Sequence, residues 1–222
     1  MKMRTYYLWP LVGMVWFWHG SPALGQGDHQ GNHEKDAAGF EHVHALAMDA
    51  EGRTLFLGAH TGLFRSDDEG HSWKKVALSP KQSGFDVMGV TPDPRNAKTI
   101  YLATHEAGVF KSTDGGTTWK EINTGLGGPD IHGLAIDPNV PSKLHAAVRE
   151  KGEGIYRTTD GGGKWTRVDD GPGGEVKVLT SVNISTGMGG IFLYAGTAEG
   201  LQRSPDFSEG GDWWAVCPLI KQ

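Results

Sequence analysis

Two sets of side chains stand out for the chemistry they could do. His44, Met88 and His132 recur at one position of a repeating pattern, each followed by a small residue, Ala45, Gly89 or Gly133. His60, His105, Arg149 and Thr197 recur at a second position further along each repeat. Imidazole with thioether is a donor set for copper, and imidazoles alone suit zinc or copper. His44, His60, His105 and His132 are therefore the candidate metal ligands, and no residue pattern demands a cofactor. His42 lies two residues before His44, so on a strand both rings would share one face. His29 and His33 add a second pair upstream. The competing reading is structural: repeats copy residues by duplication, and a histidine between strands often serves only to hydrogen-bond.

A different chemistry, glycoside hydrolysis, needs two carboxylates flanking the scissile bond. Glu106, Glu150 and Glu199 follow His105, Arg149 and Ala198 in equivalent turns, which makes them the candidate catalytic glutamates. Solvated loop carboxylates are the alternative. Two functional classes follow. One is a non-catalytic module binding a protein, glycan or metal ligand through the face that carries His44, Met88, His132, His60, His105 and Arg149. The other is a glycoside hydrolase of unknown substrate.

The elements that must position these residues are set by a pattern that returns every 46 residues. Ser66, Asp68, Gly70 and Trp73 reappear as Ser112, Asp114, Gly116 and Trp119, then as Thr158, Asp160, Gly162 and Trp165. A fourth copy keeps Ser204 and Asp206 but reaches Trp213 two residues late. The aspartate can accept backbone hydrogen bonds across a tight turn, the glycine suits positive φ, and the tryptophan buries a large ring at the start of the next strand. The expected role of these residues is structural. Around each box lie four short alternating segments, in the first repeat 42–49, 54–60, 62–66 and 73–78, and no stretch has helical period and length. A strand-rich period in the forties predicts an all-β propeller of about four four-stranded blades, near 40–85, 86–129, 130–175 and 176–218. Four units either close as a small ring, remain an open arc, are completed by a second copy, or mark a truncated gene.

These boxes resemble the Asp-box of the bacterial neuraminidase repeats, over about residues 40–216. That family includes sialidases, sortilin-type receptors, photosystem II assembly factors and secreted bacterial proteins loosely labelled glycosyl hydrolases. The resemblance implies a propeller whose boxes lie away from the ligand-binding axis. Sialidases would add three carboxylate-clamping arginines and a Tyr–Glu nucleophile pair. Here Arg65, Arg157 and Arg203 recur immediately before their boxes, matched by Lys111, and look like blade-surface positions. No Tyr–Glu pair stands out, so the sialidase likeness implies fold and not activity.

The amino terminus reads as an address. Lys2 and Arg4 precede an apolar run from Tyr6 to Trp18, and Ser21 to Gly25 supplies small residues for cleavage, so 1–25 is an expected signal peptide and 26–39 a disordered, histidine-containing leader. The run is too short for a comfortable membrane span, which predicts an exported protein, periplasmic or extracellular; an uncleaved anchor is the alternative. Losing Lys2 and Arg4 leaves 19 basic against 26 acidic residues, a net of −7, which disfavours nucleic acid and anionic membranes as partners. Cys217 is the only cysteine, so the fold has no internal disulfide. The expected partners are a protein or glycan ligand and, if the arc stays open, a second copy.

Overall fold

Alternating apolar residues between glycine and aspartate turns give sixteen strands in four antiparallel sheets of four, without a helix among the described residues. The computed structural model describes residues 39–78, 85–184, 190–206 and 212–218, all within one compact unit, Lys35–Gln222. The expected signal peptide 1–25 and the leader, Gly39 excepted, lie outside the described residues, as do His29 and His33.

The first blade is β1 (Val43–Met48), β2 (Leu55–Ala59), β3 (Gly62–Ser66) and β4 (Lys74–Val76). The second is β5 (Val87–Pro92), β6 (Ile100–Thr104), β7 (Val109–Ser112) and β8 (Lys120–Glu121). The third is β9 (Ile131–Ile136), β10 (Leu144–Val148), β11 (Gly154–Thr158) and β12 (Thr166–Asp169). The fourth is β13 (Val176–Asn183), β14 (Ile191–Thr197), β15 (Gly200–Asp206) and β16 (Trp214–Pro218). Every sheet runs in sequence order, so the chain is a four-bladed β-propeller.

The register fixes which residues share an end. Ala59 pairs with Gly62 and Leu55 with Ser66. The turn carrying His60 and the box beginning at Ser66 therefore lie at opposite ends of β3. Trp73 and Trp165 fall just before β4 and β12 rather than inside them. One expectation is corrected here. His42 does not continue β1; it sits before the strand with φ 47°, and the β1–β2 register shifts between Val43 and Ala45. Its ring therefore does not share a strand face with His44.

The core lies in the seams between blades. Phe56 and Leu63 of the first blade pack with Ile100, Leu102 and Phe110 of the second. Tyr101 and Val109 pack with Ile131, Leu144 and Trp165 of the third. Ala147 and Ile155 pack with Leu179, Leu193 and Ala195 of the fourth. The first strands stack in chain order, β1 on β5, β5 on β9 and β9 on β13. Among the described residues no strand of the fourth blade packs comparably on the first.

Candidate functional site

At the end of the blades opposite the boxes, each seam is tied by one base and one carboxylate. The base follows the second strand of one blade; the carboxylate leads the first strand of the next. His60 Nδ1 lies 2.9 Å from Asp86 Oδ2, His105 Nδ1 2.8 Å from Asp130 Oδ1, and Arg149 Nη1 2.6 Å from Glu175 Oε1. Backbone bonds hold the turns in place: His105 N–H donates to the Asp86 carbonyl and Arg149 N–H to the Asp130 carbonyl.

The second seam carries the richest group. His105, Asp130 and His132 each offer a ligand atom, all within 4.8 Å of one another. Asp130 Oδ1 takes the His105 contact, and Oδ2 accepts from Arg149 Nε at 2.8 Å. His132 Nε2 also approaches Oδ1, at 3.0 Å, with its side chain only 10% exposed. That approach lacks hydrogen-bond alignment, so a buried ring nitrogen faces an oxygen already engaged and has no hydrogen-bond partner. The electrostatics separate the two imidazoles. Burial pushes the His132 value down against the pull of Asp130, while the hydrogen bond to Asp130 raises that of His105. Burial opposes ionisation of Asp130, but hydrogen bonds from His105 and Arg149 outweigh it and hold the carboxyl below its ordinary range. The positive charge of Arg149 is in turn met by Glu175, whose value that contact lowers.

The first seam carries a more open version. His44, His60 and Asp86 form a second group within the same 4.8 Å limit. His44 Nε2 stands 3.2 Å from Asp86 Oδ1, again a close approach without hydrogen-bond alignment. At the third seam Arg149 replaces histidine, and a guanidinium donates but does not ligate a metal. The four histidines picked from the sequence thus divide into two groups in neighbouring seams. Met88 is half-buried and belongs to neither group, and the Thr197 hydroxyl bonds within its own turn, to the Gly200 carbonyl and the Glu199 N–H. Asp86, Asp130 and Glu175 were missed. Their signal was present, because each lies two residues before the position that Met88 and His132 share. Glu106, Glu150 and Glu199 are exposed on successive turns; Glu150 sits at φ 60°, with Arg149 4.0 Å away.

The boxes are closed in on themselves. Ser66 Oγ donates to Asp68 Oδ1 at 2.7 Å and accepts from Gly70 N–H, while the Ser72 N–H and hydroxyl both reach the same carboxylate. Ser112 and Thr118 do the same for Asp114, and Thr158 and Lys164 N–H for Asp160. The Ser72 hydroxyl and N–H hold Asp68 down to about 2, and those of Thr118 do so for Asp114. Trp119 donates to Gly116 within its own box, but Trp165 and Trp213 donate across a seam, to the Ile122 carbonyl and to Asp169. Ser204 is buried, while the Asp206 side chain and residues 207–211 lie outside the described residues. Arg65 and Lys111, read from the sequence as surface positions, also cross seams: Arg65 Nη1 donates to the Gly115 carbonyl at 2.7 Å and Lys111 Nζ to that of Gly161 at 3.0 Å.

The family model described as sortilin, neurotensin receptor 3, matches residues 61–178, more than half of the chain. A search of curated proteins found no match. Among solved structures, a GH74 enzyme of Niastella koreensis is 21% identical with a TM-score of 0.59, covering 79% of this chain and 30% of its own. The extracellular domain of the putative hybrid two-component system BT3049 of B. thetaiotaomicron is 16% identical with a TM-score of 0.57, over 80% of this chain and 25% of its own. YCF48 bound to a D1 peptide is 15% identical with a TM-score of 0.51, over 78% of this chain and 52% of its own. The chain therefore spans about a third or less of the first two neighbours and half of the third, and at these identities the likeness is one of fold. No helix among the described residues is long and apolar enough to cross a membrane.

Proposed function

The chain belongs to the Sortilin-Vps10 family, and from that premise we propose an exported, non-catalytic propeller module that holds a divalent transition-metal ion at the seam between its second and third blades. The observation that carries this reading is the buried Nε2 of His132, aimed at Asp130 beside His105 without a hydrogen bond of its own. Two imidazoles and one carboxylate form a donor set for zinc, copper and related first-row ions, with room for a further ligand. Metal ligands must be deprotonated, and His132 already favours its neutral form. Asp130 supplies the negative charge, and Glu175 offsets Arg149 nearby. Export rests on the basic and apolar amino-terminal segment and agrees with the extracellular neighbours. Hydrolysis by Glu106, Glu150 and Glu199 is disfavoured by their exposure and lack of mutual support.

The test is a titration of metal-stripped protein with Zn(II) and Cu(II) against a chromophoric chelator. Wild type is expected to take up about one equivalent tightly, with a second, weaker one at His44, His60 and Asp86. His105→Ala with His132→Ala removes the tight equivalent, while His44→Ala leaves it. Absence of uptake by wild type at micromolar metal refutes the proposal. Cleavage of a chromogenic glycoside panel, abolished by Gln at the three glutamates, would restore the hydrolase reading.

A further inference from the structure

The internal seams share a common build. The forward faces of the first two blades present an aromatic ring (Phe56, Tyr101), an aliphatic residue (Leu63, Val109) and a cation that reaches the next box, and the third blade keeps the aliphatic residue as Ile155 with His145 at the ring position. The rear face of the following blade receives them. A methyl group added at Gly116 would stand 2.7 Å from Phe56 of the preceding blade, and one at Gly162 would stand 2.2 Å from Ile122. These glycines are forced by the neighbour as well as by their positive φ.

At the two ends of the arc the same half-faces recur without a partner among the described residues. The rear face of the first blade has Leu46 at the register position of Leu134 and Leu179; those two are 6% and 4% exposed, and Leu46 is 65% exposed. Gly70 meets only its own blade, Leu55 at 3.5 Å. Phe40 packs on Phe64 at 4.7 Å, as Phe85 packs on Phe110 inside a seam, so it belongs to this face and does not cap it. The forward face of the fourth blade repeats the pattern as Tyr194, Leu201 and Arg203. Leu201 is 39% exposed where Leu63, Val109 and Ile155 are buried, and Arg203 lies over Phe192 of its own blade. Val178, Val182 and Trp214 extend the exposed apolar surface.

We infer that two copies of this chain join end to end, the fourth blade of each packing on the first blade of the other, to close one ring of eight blades. Both halves of the recurring seam are present in one chain, in register, at opposite ends. Arg203 would meet the first box at Glu69, which occupies the place of Gly115 and Gly161 with φ 60°, and Asp67 and Glu69 make that box acidic. Two chains of four blades give eight, which lies within the usual range for propellers. A head-to-tail contact that closes after two copies gives a two-fold ring with two identical seams.

Sedimentation equilibrium of the purified chain tests this. The expected mass is twice that of one chain, and Leu46→Glu or Leu201→Glu each yields monomer, because each spoils both seams. An equimolar mixture of the two variants recovers dimer, since it contains one unaltered seam. Met48→Glu, on the same exposed face as Leu46, repeats the first arm independently. A wild-type monomer at all concentrations, open-ended higher oligomers, a dimer that survives both substitutions, or a dimer lost with Leu46→Glu but kept with Leu201→Glu overturns the inference. So does a mixture that stays monomeric.

Discussion

Two bands of carboxylates cross this propeller at opposite ends of its strands, and they are wired differently. Asp68, Asp114 and Asp160 accept from residues two to four positions away in their own turns. Asp86, Asp130 and Glu175 pair with residues 19 to 42 positions away, most of them in another blade, with His132 beside Asp130 as the local exception. The box carboxylates accept their hydrogen bonds inside their own turns, so they hold the local corner and tie no blade to the next. The seam carboxylates are filled by histidine and arginine, groups that titrate or exchange, and two of the three seams leave a ring nitrogen or carboxylate oxygen without an aligned partner.

The largest expected effect comes from the tryptophan that links box to seam. Trp165 is fully buried and donates to Ile122 in the preceding blade, so Trp165→Ala should lower unfolding stability by about 3–5 kcal/mol in a denaturant titration. A loss no greater than that of an exposed control would mean the boxes do not hold the seams. Asp130→Ala should come next, at roughly 2 kcal/mol, because it strips His105 and Arg149 of their shared acceptor. The same variant should abolish tight metal uptake, whereas Asp160→Asn should leave uptake intact; equal loss from both would erase the distinction between the bands.

Gly162→Ala and Gly70→Ala share the strain of positive φ. The former also drives a methyl into Ile122, so it should be more destabilising by about 1–3 kcal/mol in the monomer. The smallest effect is a pH slope. Asp68 and Asp114 sit at about 2 in the folded chain, below their unfolded value near 3.9. Their stabilisation is complete above that unfolded value and is lost as pH falls toward 2. Replacing both with Asn should flatten the thermal stability profile between about pH 4 and 2. His105 carries the opposite sign: its raised value stabilises the fold below the unfolded value near 6.5, and that part is lost as pH rises through the folded value. His105→Gln should remove this neutral-pH slope without touching the acid one.

Much of this was legible in the chain. The 46-residue period, the three ungapped boxes and the alternation of the strands lead directly to four four-stranded blades, because each feature works within a few residues. The two histidine positions were also visible as columns of the repeat. Their carboxylate partners were not picked, since Asp86 and Asp130 look like ordinary turn residues until the next blade is placed beside them. Arg65 and Lys111 were read as surface positions for the same reason: their acceptors are the box carbonyls of the following blade.

Sequence alone decided turn chemistry, strand count and repeat length, all governed by hydrogen bonds and steric limits between near neighbours. Only the tertiary structure decided which histidines meet, which carboxylate they share and which blade faces stay uncovered. Those outcomes depend on how one sheet leans on the next, and that packing is set by side chains some forty residues apart.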